Sequence, residues 1–211
     1  SQNISHIITT SPPHSTQLIG LRMKRRFPGL KWVADLRDPW TDIYYYDMFR
    51  PSLPARMLDR NLEKRVLSRA DRIITVGKTL ASLLAAKTEA VAGKTEILPN
   101  GFDEEDFQGI VSSVPERFTI TYVGTLSPAY PVRGFIDAVK DMRINGKQVA
   151  LQFVGTVPEE IRALFPAGDE GDGPRFISYC EHPEAIRYMM SSSLLLLIIP
   201  DHSSNRSILT G

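Results

Sequence analysis

The 211-residue sequence predicts an α/β protein with two domains, each built on a parallel sheet. Short apolar segments alternate with longer helical segments along the whole chain, a spacing typical of parallel sheets. The alternation is interrupted once, after Pro99-Asn100-Gly101-Phe102-Asp103, where a polar stretch separates two runs of elements. We therefore expect a first domain at residues 1–108, a linker at 109–116 and a second domain at 117–211.

The first domain is predicted to contain four strands and three helices. Its strands are apolar runs bounded by polar or glycine-containing segments, at residues 6–10, 31–34, 72–76 and 96–98. Its helices lie near residues 13–27, 54–69 and 80–87. Ser11 is a candidate N-cap of the first helix, because Pro13 would then stand in the first turn, where its missing N–H needs no partner.

The second domain repeats this order without repeating the sequence. Its predicted strands are residues 119–123, 150–154, 175–178 and 194–199, and its predicted helices are residues 134–143, 159–164 and 183–190. The similarity between the two halves is therefore one of architecture.

Composition excludes several classes of protein. Lys and Arg number 25 against 24 Asp and Glu, a net charge of +1, so no nucleic-acid partner is expected. Cys180 is the single cysteine, which excludes an internal disulfide and fits a reducing, cytoplasmic compartment. The longest apolar run, residues 194–199, is far shorter than the ~20 residues that span a bilayer.

Polar side chains follow the first two strands, at the edge where parallel sheets bind ligands. Ser11 and His14 follow the first strand, and Asp35, Arg37 and Asp38 come at the end of the second. Charges at the end of a buried strand are costly unless they are paired or in use. A functional cleft is one interpretation, and a salt bridge from Arg37 that only orders the loop is the other.

Gly124 and Ser127 follow the first strand of the second domain. A glycine at this position lets the backbone approach a phosphate, and Arg133 could supply positive charge. A tight turn beside a solvated arginine would give the same pattern, and no glycine-rich phosphate-binding motif is present. No metal site is predicted either, because the four histidines are scattered along the chain: His6, His14, His182 and His202.

Two basic stretches in the first domain suggest an anionic partner. Residues 22–26 end the first helix with four cations, and Arg56, Arg60 and Lys64 recur at helical spacing after an aromatic segment at residues 40–49. Basic helices beside exposed aromatics suit a protein that rests on an anionic membrane surface. Two other interpretations stay open: dipole compensation by cations at a helix C-terminus, and packing of the aromatics under a loop.

Together these motifs resemble the nucleotide-sugar-dependent glycosyltransferases of family 4, collinearly over nearly the whole chain. The most specific pieces are Asp35-Leu36-Arg37-Asp38-Pro39-Trp40 and Pro99-Asn100-Gly101-Phe102-Asp103. The remaining pieces are Ser11-Pro12-Pro13-His14, Leu62-Glu63-Lys64-Arg65-Val66, residues 70–76 and Tyr122-Val123-Gly124-Thr125-Leu126.

The resemblance implies a GT-B fold, in which two Rossmann-like domains hold the active site between them. It implies a nucleotide-sugar donor held mainly by the second domain and an acceptor held by the first, with retention of anomeric configuration. It also implies that no metal or other cofactor is needed, because helix dipoles and basic side chains stabilise the departing diphosphate.

The resemblance further assigns roles to individual residues. Gly124, Thr125 and Arg133 fall where relatives bind the donor diphosphate, although Thr125 replaces a frequent arginine. Arg37, which stands where many relatives have a histidine, and Asp38 are assigned to catalysis. The acceptor-side cleft is assigned to Ser11, His14 and Asp35.

Measured against that family, the sequence lacks the start of the first domain and the glutamate motif expected soon after Gly211. We therefore expect a fragment with two truncated domains, inactive by itself. The expected parent enzyme transfers a sugar to a glycan or lipid-linked acceptor in surface polysaccharide or glycolipid synthesis, in the cytoplasm or at the inner face of a membrane. A non-catalytic nucleotide- or sugar-binding module and a nucleotide-sugar epimerase are the alternatives.

Overall fold

The computed structural model describes residues 4–43, 45–111, 114–128, 130–165 and 173–199. Described residues up to Gly101 form one compact unit, and those from Phe102 onward form a second. The predicted linker at residues 109–116 stays a prediction, since residues 112–113 lie outside the described part of the chain.

The first unit contains a four-stranded parallel sheet. Its strands are β1 (His6–Ser11), β2 (Lys31–Leu36), β3 (Arg72–Thr75) and β4 (Thr95–Ile97), and they lie side by side in chain order. The helices that connect them are α1 (Thr16–Arg26), α2 (Leu53–Arg69) and α3 (Lys78–Ala85). Short 3-10 helices at Tyr46–Phe49 and Glu89–Val91 complete the described unit.

The helix ends follow local chemistry, with one correction. The Ser52 hydroxyl accepts a hydrogen bond of 3.4 Å from the Ala55 N–H and so caps α2, with Pro54 in the first turn. The prediction that Ser11 caps the first helix was wrong, because β1 continues to Ser11 and α1 begins only at Thr16. The side chain of Ser11 takes part in a buried network instead.

One apolar core joins the sheet to its helices, with the fully buried Trp32 indole within it. Its buried members come from two strands, two helices and the adjoining loops: Trp32, Ala34, Leu36, Trp40, Val66, Leu67, Ala70, Ile73, Val76, Leu80, Leu84 and Val91. Leu18 and Leu21 of α1 pack against this cluster.

The second unit contains a second four-stranded parallel sheet. Its strands are β5 (Thr119–Thr125), β8 (Ala150–Thr156), β9 (Arg175–Ile177) and β10 (Leu194–Leu195), while β6 (Arg143–Ile144) and β7 (Lys147–Gln148) form a separate hairpin. Its helices are α4 (Val132–Val139), α5 (Glu159–Arg162) and α6 (His182–Met190), and a 3-10 helix lies at Glu104–Phe107. The strand order is β10-β5-β8-β9, and Phe153 on β8 packs on Phe165 and Phe176 with ring centroids 5.1 and 5.4 Å away.

Two predicted elements of the second unit differ from the structure. The helix predicted to reach residue 143 ends at Val139, because the chain then enters the β6–β7 hairpin. Asn145 and Gly146 at its tip both have positive φ, of 53° and 76°, which is the backbone of a type I′ turn and explains the Asn-Gly pair. The last strand pairs only over Leu194–Leu195 rather than over residues 194–199.

No described helix combines the length and the apolar character required to cross a bilayer.

Candidate functional site

Parallel pairing of β1 and β2 brings two motifs to the same sheet edge in the first unit. Ser11 lies opposite Leu36 in the register, and the Arg37 N–H donates to the Ser11 carbonyl at 3.3 Å. His14, Arg37 and Asp38 therefore leave the sheet side by side. The structure thus brings the sequence-predicted residues of this unit together, and their roles remain to be tested.

His14 is fixed against the loop that follows β2. Its Nε2 lies 3.1 Å from the Asp38 carbonyl oxygen, and its ring stacks on Trp40 with centroids 5.4 Å apart. Because a carbonyl only accepts, Nε2 carries a proton and Nδ1 of the neutral ring keeps a free lone pair. Burial lowers the pKa of His14, and this effect outweighs the opposing influence of its hydrogen bond to Asp38.

The pKa of Asp38 is shifted in the opposite direction. Burial raises the pKa of its carboxyl, and only the protonated form of His14 acts to lower it. A half-buried carboxyl and a neutral imidazole at one edge are the residue types that exchange protons with a substrate hydroxyl.

Arg37 connects the two most specific motifs of the sequence. Its Nε donates to Asp35 Oδ2 at 3.3 Å, and its NH1 group donates to Asn100 Oδ1 at 3.1 Å. The ion pair with Asp35 considered from sequence is therefore present. About half of the Arg37 side chain is still exposed, so its guanidinium also remains accessible to a ligand.

Gln17, which the sequence analysis missed, stabilises the sheet edge through hydrogen bonds to β1 and β2. Its fully buried amide group donates to the Thr9 carbonyl at 3.1 Å, the Ser11 hydroxyl at 3.0 Å and the Asp35 carbonyl at 2.9 Å. The Trp32 indole N–H donates to Thr9 Oγ1 at 2.8 Å and extends the network. Ser11 is itself buried, so its hydroxyl belongs to this hydrogen-bond network. In the sequence, only the position of Gln17 on the inner face of α1 indicates that such a network could form.

The buried Glu63 and the partly buried Lys87 form a second polar cluster that sequence reasoning missed. Glu63 on α2 is 2% exposed, and Lys87 Nζ lies 2.7 Å from both of its carboxylate oxygens. Thr41 Oγ1 donates to the same carboxylate at 2.7 Å, and Asp42 also pairs with Lys87. The cluster ties α2 and the end of α3 to the loop that carries Asp38 and Trp40.

The second unit presents a glycine pair at its own sheet edge. Gly124 on β5 and Gly155 on β8 lie opposite each other, with φ of 139° and 117°. A Cβ atom on Gly155 would collide with the Gly124 carbonyl, so the two strands are closer than side chains allow. The tripeptide Val-Gly-Thr occurs at both positions, 123–125 and 154–156, and is the signal by which Gly155 could have been found.

Hydrogen bonds from Tyr122 and Leu126 help to hold the backbone after β5. The Tyr122 hydroxyl donates to the Thr125 carbonyl at 3.1 Å, and the Leu126 N–H donates to the Thr156 carbonyl at 2.9 Å. Thr125 therefore ends its strand with a fixed backbone. Burial raises the pKa of Tyr122, which keeps this phenol a donor.

Arg133 lies in a different place from the glycine pair. It stands exposed in the first turn of α4 and lines a pocket of 490 Å³ together with Tyr130, Glu160 and Leu164, among others. Gly124 and Thr125 do not line that pocket. Shared binding of one diphosphate by these three residues is therefore still a prediction.

Within the described ranges, no three His, Cys, Asp or Glu side chains converge as metal ligands do. His202 lies outside the described residues.

Comparison with known proteins identifies the fold. Residues 1–101 match a family model described as a glycosyl transferase 4-like domain, and no curated protein sequence matches the chain. The structure resembles a sucrose-phosphate synthase from Thermosynechococcus elongatus with a TM-score of 0.61 and 17% identity, over 90% of this chain and 49% of that one. It also resembles the lipopolysaccharide outer core galactosyltransferase WaaB in its apo form, with a TM-score of 0.57 and 13% identity over the same shares.

A third similar structure was solved with ligands. It is a mutant of TarM from S. aureus in complex with fondaparinux, α-GlcNAc-glycerol and UDP, with a TM-score of 0.52 and 9% identity over 90% of this chain and 36% of that one. The chain thus spans about half the length of the first two structures. The predicted fold class is confirmed: the chain has the parallel-sheet α/β fold of GT-B glycosyltransferases, with a glycosyl transferase 4-like first unit.

Proposed function

We propose that this chain is part of a glycosyltransferase that moves a sugar from a nucleotide-sugar donor to a glycan or lipid-linked acceptor. The observation that carries the proposal is the match of residues 1–101 to the glycosyl transferase 4-like domain. The hydrogen bond from Arg37 to Asn100 supports it, because it joins the two motifs on which the family resemblance most depends. Surface polysaccharide or glycolipid synthesis in the cytoplasm is the setting we propose.

In this reaction the bond between the anomeric carbon and the diphosphate oxygen breaks, and a bond from that carbon to the acceptor oxygen forms. We assign the acceptor side to the first-unit edge, where His14 and Asp38 can take up the hydroxyl proton that is released. Arg37 is half exposed beside them and stabilises negative charge on the reacting groups. We propose retention of configuration and catalysis without a metal ion.

We assign the donor diphosphate to the second unit. The glycine pair places two residues without side chains next to the ends of β5 and β8, and Arg133 adds a cation in the first turn of α4. The complex of the TarM mutant with UDP supports a nucleoside diphosphate as the ligand class.

Thermal stabilisation by nucleoside diphosphates tests the donor assignment. UDP, GDP and ADP should be compared, and the correct one should stabilise the chain by about 2.7 kcal/mol at a hundredfold excess over its dissociation constant. Arg133→Ala should weaken this stabilisation, whereas Arg143→Ala, an exposed arginine of the β6–β7 hairpin, should not.

If Arg133→Ala and Arg143→Ala lose nucleotide stabilisation equally, Arg133 is not part of the donor site. Failure of all three nucleotides to stabilise the wild-type chain would contradict donor binding by this unit. Turnover by the parent protein separates the alternatives, because the chain itself is expected to be inactive. A binding module binds the nucleotide sugar without consuming it, and an epimerase converts it without an acceptor.

A further inference from the structure

The near-neutral chain is strongly divided in charge. Residues 1–101 contain 16 Lys and Arg against 9 Asp and Glu, a net charge of +7, whereas residues 102–211 contain 9 against 15, a net charge of −6. The total of +1 conceals this division. An anionic partner would therefore be attracted to the first unit only.

The structure concentrates that charge in a groove of 590 Å³ between α1 and α2, here called the α1–α2 groove. Five cations line it, with no acidic residue among the lining: Lys24, Arg25, Lys64, Arg65 and Arg69. Leu21 and Leu58 supply apolar lining. Lys24 and Arg25 of the first basic stretch and Lys64 of the second thus face one space, whereas Arg56 and Arg60 do not line it.

Most of these cations are available to a partner. Lys24 is paired with Asp71 at 2.7 Å. Across the described residues, the other four form no ion pair, and all four are exposed: Arg25, Lys64, Arg65 and Arg69. Unpaired cations this close together repel one another, and a bound anion would relieve that repulsion.

Large apolar side chains are exposed at the start of α2 and on the 3-10 helix before it. Met48, Phe49, Leu53 and Met57 are 74%, 72%, 78% and 66% exposed, and together they are here called the apolar rim. Leu53, Met57 and Lys64 are four and seven residues apart along α2, so the two apolar rim residues of that helix share a face with Lys64, which lines the α1–α2 groove. A monomeric soluble surface rarely exposes so many large apolar groups together.

Contacts of neighbouring residues hold the apolar rim in place and leave its own side chains exposed. Arg56 pairs with Asp47 at 2.6 Å and lies over the Tyr46 ring at 5.7 Å, while the Tyr46 hydroxyl donates to Asp59 at 2.6 Å. Burial and this hydrogen bond raise the pKa of Tyr46 to about 12, so the phenol stays protonated as a donor. The 3-10 helix is thereby fixed on α2, with Met48 and Phe49 facing outward.

We propose that the α1–α2 groove and the apolar rim together form a membrane-binding surface, with the cations on anionic lipid headgroups and the apolar rim inserted among the acyl chains. A soluble polyanion would use the cations but not the four exposed apolar side chains, whereas a bilayer interface uses both. Trp40, part of the aromatic segment noted in the sequence, is buried beside His14 and takes no part.

Vesicle co-sedimentation of the 211-residue chain tests this surface. The probes are vesicles of phosphatidylcholine alone and of an equimolar mixture with phosphatidylglycerol, across a salt series. We expect binding to the mixed vesicles that weakens as salt rises, and little binding to phosphatidylcholine.

Charge-matched variants locate the surface. The double variant Lys64→Gln/Arg69→Gln should bind mixed vesicles about thirtyfold more weakly, since each cation near an anionic membrane is worth about 1 kcal/mol. The control, Arg143→Gln/Lys147→Gln on the β6–β7 hairpin, removes the same charge and should bind as the wild type does. Equal loss in both pairs would mean that net charge alone drives binding and would overturn the proposal.

Apolar variants separate a bilayer from a soluble polyanion. Phe49→Ser should weaken binding about tenfold or more, because a buried phenylalanine contributes about 1.5–3 kcal/mol. The control Tyr179→Ser, at an aromatic that is 80% exposed, should have no effect. If Phe49→Ser leaves vesicle binding unchanged and soluble polyphosphate displaces the protein from the vesicles, the proposal is overturned in favour of a soluble polyanion. Absence of vesicle binding at low salt would also overturn it and would leave the proposed donor chemistry untouched.

Discussion

Gly20 shows how one missing side chain sets the distance between a helix and a strand. It lies on the buried side of α1, where an added Cβ would collide with the Trp32 indole. The indole also donates its N–H to Thr9 within the network under the candidate site. The close approach of α1 to β2 therefore fixes both the core and the sheet edge.

Replacement of Gly20 by alanine should consequently destabilise the chain by about 1–3 kcal/mol through overpacking, despite the better helix propensity of alanine. Gly134→Ala is the matched control, because Gly134 also lies in a helix and an added Cβ would meet no other atom there within 4 Å. That variant should be stabilised by about 0.5–1 kcal/mol. Urea unfolding measures both, and a stabilised Gly20→Ala variant would contradict the contact.

His14 makes a pH-dependent contribution to stability. Burial lowers its pKa below the ordinary value of about 6.5, so below that pH the unfolded chain binds more protons than the folded chain. The free energy of unfolding should therefore fall as pH decreases from 6.5 through the lowered folded pKa. The raised pKa of Asp38 acts with the opposite sign, because its contribution is lost as pH rises above about 3.8.

Comparison with His14→Gln isolates the histidine, since glutamine keeps a donor for the Asp38 carbonyl and does not titrate. Urea unfolding at pH 7.5, 6.5 and 5.5 should give a decline in wild-type stability that is steeper than the decline of the variant. Parallel curves would show that His14 is not held neutral by the fold.

At the scale of elements, the Glu63–Lys87 pair joins α2 to the end of α3. The Lys87→Met variant would leave the Glu63 carboxylate buried without its cation, which should cost about 3–5 kcal/mol. The double variant Glu63→Gln/Lys87→Met should be more stable than Lys87→Met alone, because the unpaired charge is gone. Additive losses in urea unfolding would contradict the pairing.

The elements around the candidate site differ in how they create it. In the first unit, the buried amide of Gln17 and the ion pair of Glu63 with Lys87 stabilise the backbone that carries the polar side chains of the sheet edge. In the second unit, each of two adjacent strands has a glycine one residue before its end, and the two backbones approach closely there. The first arrangement suits orientation of a hydroxyl acceptor, and the second suits close approach of a phosphate.

At the scale of the whole molecule, the two units have separate cores and opposite charge. The core of the first unit draws its members from residues 7–91, and the two core clusters of the second draw theirs from residues 118–198. The net charges of +7 and −6 on the two halves mean that a single isoelectric point describes neither. The vesicle experiment tests where the positive charge lies. The control variant Arg143→Gln/Lys147→Gln lowers the net charge of the chain by the same amount as Lys64→Gln/Arg69→Gln.

Local pattern was sufficient to predict most of the fold. The strands at residues 6–10 and 119–123 and the helices at residues 54–69 and 183–190 were predicted within a few residues of their observed limits, because strand and helix periodicities are properties of neighbouring residues. The parallel pairing followed from the alternation of elements. Arg37 and Asp38 could be placed near His14 for the same reason, since the ends of neighbouring parallel strands share an edge.

What the sequence determined by itself was therefore the α/β class, the order of the elements and the residues that follow each strand. Only the tertiary structure decided which polar groups are buried together and which apolar groups are left exposed. Gln17, Glu63 and Lys87 look like surface residues in the sequence, while Met57 and Phe49 look like core residues. The reason is physical: burial depends on what packs against a side chain, and those partners are set by contacts between residues far apart along the chain.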